Sequence, residues 1–292
     1  MKKNILLLIL ISLLSITLTT GCDKDELEGS KVTVSVYPIE YIITSLYDIE
    51  ESKYTITSIY PNGTDINEYK LTDKQLTDFS KSTTLFVYNG LSNEKEIAKT
   101  LINKNKKIQI IDVSYGLKYQ YGIEELWLSP NNYLMLANTV KNDLQELSSS
   151  KYAVDKIESK YAELEENLTT LDAELRTIAK NAKNKKKNTI VIAYDSFGFL
   201  QKYGFNIVNI TKESSITTSI KNKFKDKTYK YIFVANKNNV TDSVKDLVDN
   251  YGAELIEINT MSTLLDKQRN NKENYLTIMN DFLTTLSNIT SK

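Results

Sequence analysis

The sequence predicts an α/β fold: two βα lobes with mainly parallel sheets, joined by one long linking helix. Two observations carry this expectation. Between 152 and 186, apolar or aromatic residues recur at Val154, Ile157, Tyr161, Leu164, Leu168, Leu171, Leu175 and Ile178, alternately three and four apart. On either side of that stretch, short β-branched runs alternate with helical patterns, which implies βαβ units and parallel pairing.

The long stretch has a narrow apolar seam between Glu, Lys, Asp, Asn, Thr and Ala, the mark of an amphipathic helix. It holds neither Gly nor Pro, so nothing breaks it. Some thirty helical residues span roughly 45 Å, more than the width of one small lobe. A coiled coil is the competing reading. The repeat runs for under four heptads and is flanked by strand–helix patterns, which favours a helix tying two lobes together. Lys180, Lys183, Lys185, Lys186 and Lys187 follow at its C-terminal end, where cations suit the helix dipole. They need no binding partner.

The elements follow in order. Lys2 and Lys3 precede an apolar run from Ile5 to Leu18, then Thr19-Thr20-Gly21-Cys22. A charged start, a short apolar core and a small residue before the cleavage point predict a secretory signal over 1–21. The run is short for a membrane span. The ending resembles a bacterial lipobox, with Thr19 where such boxes carry an aliphatic residue. Cys22 is the only cysteine of the chain, and lipidation (palmitate-type acylation) is the role expected for it. Residues 22–30 read as a polar tether.

The N-terminal lobe is expected over 31–150. Strands are predicted at Lys31–Val36, Tyr54–Tyr60, Thr84–Tyr88 and Ile108–Asp112, with helices between them. Thr72 is placed to cap the helix carrying Leu76 and Phe79. Residues 113–130, with Trp127 and Pro130, read as an irregular loop of the kind that lines sites. After the linking helix (151–187), the C-terminal lobe at 188–292 repeats the alternation. Its strands are expected at Thr189–Ala193, Phe205–Ile210, Tyr231–Ala235 and Glu254–Ile258, and Tyr275 to Ile289 forms the last helix. In such sheets ligands sit beyond the carboxyl ends of strands, and two lobes can share one cleft there.

Composition narrows the function. The 292 residues hold 37 basic and 37 acidic side chains, with no basic excess to suggest nucleic acid. There is no histidine, which excludes Ser-His-Asp and Cys-His triads and removes every imidazole ligand. No phosphate loop and no nucleophile–base pattern appears, so the chain is not expected to be an enzyme.

The motifs PNGTDINEY (61–69), LFVYNGL (85–91), ELWLSP (125–130) and YDSFGFL (194–200), set around the long helix, resemble the solute-binding lipoproteins of bacterial zinc and manganese ABC transporters. The resemblance covers essentially the whole chain from Val36 onward. It implies a metal cleft between the lobes and delivery to a membrane permease driven by a cytoplasmic ATPase. It further implies a lipid-anchored monomer on the extracytoplasmic face of the cell membrane. The family's usual metal ligands fall on Asn67, Glu125, Tyr194 and Asn259, where the family carries His, His, His or Glu, and Asp. The framework is kept and the ligands are replaced.

That set offers one ionised group and only hard oxygens, whereas zinc prefers about four imidazole, thiolate or carboxylate ligands. It suits Mn, Ca or Mg better, and those weakly. Asp65 and Glu257 are further acids that a rearranged cleft would bring to a cation bound through oxygen, alongside Glu125. Glu68, Glu124 and Asp195 lie nearby in sequence. The expectation is a transport-binding lipoprotein that is not a tight zinc binder. The competing class is a surface lipoprotein with a vestigial cleft, acting in adhesion or as an accessory scaffold.

Overall fold

The computed structural model describes residues 29–47 and 54–291. The expected signal segment, Cys22 and nearly all of the tether lie outside the described residues. Among the described residues, eight four-residue strands form two four-stranded sheets. In chain order they are β1 (Lys31–Val34), β2 (Thr55–Ser58), β3 (Leu85–Tyr88), β4 (Gln109–Asp112), β5 (Thr189–Ile192), β6 (Asn206–Asn209), β7 (Tyr231–Val234) and β8 (Glu254–Glu257). The sheets run β2-β1-β3-β4 and β6-β5-β7-β8, and every pairing is parallel. The two lobes therefore share one topology. Each strand lies inside its expected run and is shorter, because the flanking residues leave the ladder for loops.

The helices of the first lobe are α1 (Tyr37–Leu46), α2 (Asp73–Ser82), α3 (Glu94–Lys104), α4 (Glu125–Leu128) and α5 (Pro130–Leu147). Thr72 caps α2 as expected: its hydroxyl accepts from Gln75 N at 3.3 Å, and Gln75 Oε1 accepts from Thr72 N at 2.9 Å. The stretch expected to be irregular contains α4, one turn of helix, and Pro130 opens α5, where its missing N–H has no intrahelical use.

The linking helix α6 runs unbroken from Lys151 to Asn184. Its predicted seam is buried from Ile157 through Ile178. Beyond it come a 3-10 helix (Asp195–Tyr203), α7 (Thr218–Lys225), α8 (Asp242–Tyr251), α9 (Asp266–Asn270) and α10 (Tyr275–Ser291). Both α5 and α10 pack along α6.

One apolar core runs through both lobes. It joins Val34, Phe86 and Val87 of the first sheet to the α6 seam and to Phe197, Phe199, Phe233 and Tyr275. A smaller cluster around Val191, Ile232 and Leu247 fills the outer half of the second lobe. The segment after β8 returns to the first lobe: Tyr37 N donates to Ser262 O at 3.1 Å and Gly63 N to Leu264 O at 2.9 Å. Arg269 grips Glu40 through two hydrogen bonds of 2.6 and 2.9 Å. Such cross-links, added to an unbroken helix, tie the second lobe to the first. Among the described residues, no helix is long and apolar enough to cross a membrane.

Candidate functional site

A cavity of about 570 Å³ opens between the lobes. Its walls come from residues just past strand ends: Tyr60 after β2, Asn89 to Glu94 after β3, Ala193 to Ser196 after β5, and Thr211 after β6. That is where parallel sheets hold ligands. Ile66, Asn67, Tyr119, residues 121–124 and Trp127 form the remaining wall. Trp127 is 1% exposed and fixed by its indole N–H, which donates to Thr260 O at 2.6 Å. Tyr275 anchors the same turn by donating to Trp127 O at 2.7 Å.

The four positions implied by the family motifs do not converge. Asn67 and Tyr194 line the cavity; Glu125 and Asn259 are not among its lining residues. Glu125 is fully buried behind the wall. Its Oε2 accepts from Gln120 N and Tyr121 N at 3.0 Å each, and its Oε1 pairs with the Lys202 ammonium. Burial alone pushes the Glu125 pKa up, but Lys202 and the two N–H donors outweigh it and hold the group below the ordinary glutamate value. Asn259 lies beside a separate depression lined by Leu128 and Phe282, where its Oδ1 accepts from Met261 N at 2.8 Å. Glu257 borders that same depression and accepts from Lys237 N at 2.8 Å. Asp65 accepts from Asn67 N at 2.9 Å, ordering the lip of the cleft.

Glu124 occupies the wall instead. It is 4% exposed. It accepts from the Tyr194 hydroxyl at 2.6 Å and from the Ser196 hydroxyl at 2.5 Å. The Tyr194 phenol is pushed well above its ordinary pKa by burial first and then by Glu124, Asp65 and Asp195, so it remains a neutral donor. Gly122 is required by this arrangement, because a Cβ there would land on Ser196 Oγ. Gly198 plays the same part opposite the Tyr121 ring.

Glu94, at the first turn of α3, is the second buried carboxylate of the cavity, 1% exposed. Burial pushes its pKa up to about 7, partly offset by the nearby Ser35 and Ser92 hydroxyls and by Asn89 N, which donates to its Oε2 at 2.8 Å. From sequence, an acid in the first turn of a helix reads as ordinary dipole complementation, so Glu94 gave no signal. Among the described residues, no group of three or more Cys, Asp or Glu side chains is placed to hold a metal ion. The donors present do not fit a zinc site.

A family model, ZnuA, the periplasmic component A of the zinc-uptake complex, matches residues 32–289. The chain belongs to this family. It is thus a transport component, not an enzyme, and the family's partners are the subunits of an ABC transporter. The fold agrees. The metal-dependent lipoprotein YcdH from Bacillus subtilis superposes with a TM-score of 0.72 at 20% identity, covering 89% of this chain and 98% of that one. The Zn(II)-bound ZnuA-like domain of AdcA from Streptococcus pneumoniae gives 0.70 at 20% identity over 90% and 99%. FpvC from Pseudomonas aeruginosa, in complex with Mn2+, gives 0.67 at 13% identity over 90% and 98%. A comparison with curated protein sequences finds no match.

Proposed function

We propose that this ZnuA-family chain is the extracytoplasmic solute-binding subunit of an ABC importer whose cleft is not a tight zinc site. The observation that carries this reading is the commitment of two adjacent acids, Glu124 in the wall and Glu125 behind it. Glu124 is held by two hydroxyls, and Glu125 by an ammonium and two backbone N–H groups. Zinc requires about four close ligands, and freeing these acids would strand their buried partners. With no histidine in the chain, no imidazole replaces them. An open cavity of about 570 Å³ favours a working transport cleft over a scaffold with a collapsed one.

Titration calorimetry with zinc tests the reading. The expected result is no saturable site tighter than micromolar. A sub-micromolar, one-to-one zinc site lost on Glu124→Ala would overturn it.

The anchor is part of the same proposal. Cys22 is the lone cysteine, and a diacylglyceryl group on it supplies two chains at about 0.8 kcal/mol per buried methylene. Cys22→Ala is expected to release the protein from membranes or leave it uncleaved. Unchanged lipid labelling and unchanged fractionation of that variant would contradict the anchor.

A further inference from the structure

We propose that the cleft takes a small organic ammonium ion, its charge set against Glu124 and Glu94 and its hydrocarbon body among Tyr60, Tyr121 and Trp127. The inference rests on the cleft being the transport site, and it names the class of solute.

Charge is the first ground. Glu94, Glu124 and Asp195 line the cavity, and no lysine or arginine does. Neither Glu94 nor Glu124 has a cationic partner among the described residues, although they are 1% and 4% exposed. Buried carboxylates without a counter-charge are costly, and a bound cation removes that cost. The charged groups that hold the Tyr194 phenol up are likewise carboxylates: Glu124, Asp65 and Asp195. An anionic solute meets a field of its own sign there.

Size and donor geometry then separate an organic cation from a metal ion. A cavity of about 570 Å³ is of the volume that holds organic ligands, whereas a bare ion would fill a small part of it. A divalent metal demands several oxygens converging on one point, and the acids do not converge among the described residues. An ammonium ion makes no such demand. It is satisfied by one or two acceptors together with aromatic faces, which attract cations through their quadrupole. Glu124 uses two of about four acceptor positions on the Tyr194 and Ser196 hydroxyls, and the remainder are open to N–H donors. Five aromatic residues line the cavity, which gives the body of such an ion an apolar surface.

The test is calorimetry and thermal shift on the full chain, with 1,4-diaminobutane and choline as probes and glucose, succinate and zinc as controls. Saturable one-to-one binding of either amine is expected. Asn67→Lys, which adds a positive charge at an exposed lining position, should weaken that binding on the order of ten- to thirty-fold. Glu124→Gln should abolish it, and the ligand-free melting curve reports whether that variant folds. Absence of binding by both amines at millimolar concentration overturns the inference. So does amine binding that survives both substitutions. Capture of glucose or succinate in place of the amines overturns it while leaving the transport reading intact. A tight zinc site overturns the reading beneath it as well.

Discussion

Glu125→Ala is expected to lower the unfolding free energy by about 1–3 kcal/mol, the range for leaving buried donors without their acceptor, because the Lys202 ammonium is half-exposed and water can take it up. The substitution strands Gln120 N and Tyr121 N behind the cavity wall and leaves Lys202 without its partner. Denaturant titration of both proteins measures the change, and a loss below about 1 kcal/mol would contradict the structural role assigned to this acid. The pH dependence has a definite sign. The folded pKa of Glu125 is lowered, so its contribution is present above the ordinary glutamate value of about 4.3 and is lost as pH falls through the folded value.

Glu94→Gln is expected to stabilise the protein near pH 8 and to do little at pH 4. Burial raises the folded pKa from 4.5 to about 7. Between those values the unfolded chain is ionised and the folded one is protonated, so stability is fully present below pH 4.5 and declines as pH rises through 7. The decline amounts to about 3 kcal/mol for a shift of this size. Glutamine keeps an oxygen to accept from Asn89 N, the bond that Glu94 makes at 2.8 Å, and carries no charge to desolvate. Melting curves of both proteins at pH 4, 6 and 8 decide the matter. Parallel curves, with equal slopes against pH, would contradict the buried placement of Glu94.

The fold was largely legible in the sequence, and the site only partly. Periodicity placed the linking helix because its seam is buried from Ile157 to Ile178, with only Val154 at its start half-buried. Strand positions followed from β-branched runs, with ends trimmed where the chain turns into loops such as Ala193-Tyr194. Motif offsets could not say which of two adjacent acids faces the cleft. Consecutive residues on a helical turn point about 100° apart, so Glu124 reaches Tyr194 and Ser196 while Glu125 turns inward to Lys202. Lys202, 77 residues away, carried no sequence signal for that pairing. Asn259 lies just past β8, near where the family motif implies, yet its side chain closes its own turn on Met261 N. Glu94 was invisible because an acid in the first turn of a helix is usually exposed, and only the folded cavity wall shows this one buried.

Under the proposed function, a ZnuA-family fold here carries a cleft that is not a tight zinc site. The most direct measurement is elemental analysis of the full chain, purified without chelator from cells supplied with zinc and then dialysed. Far less than one zinc per chain is expected, with no metal retained in constant proportion. A stoichiometric zinc that survives dialysis and leaves on Glu124→Ala would contradict it.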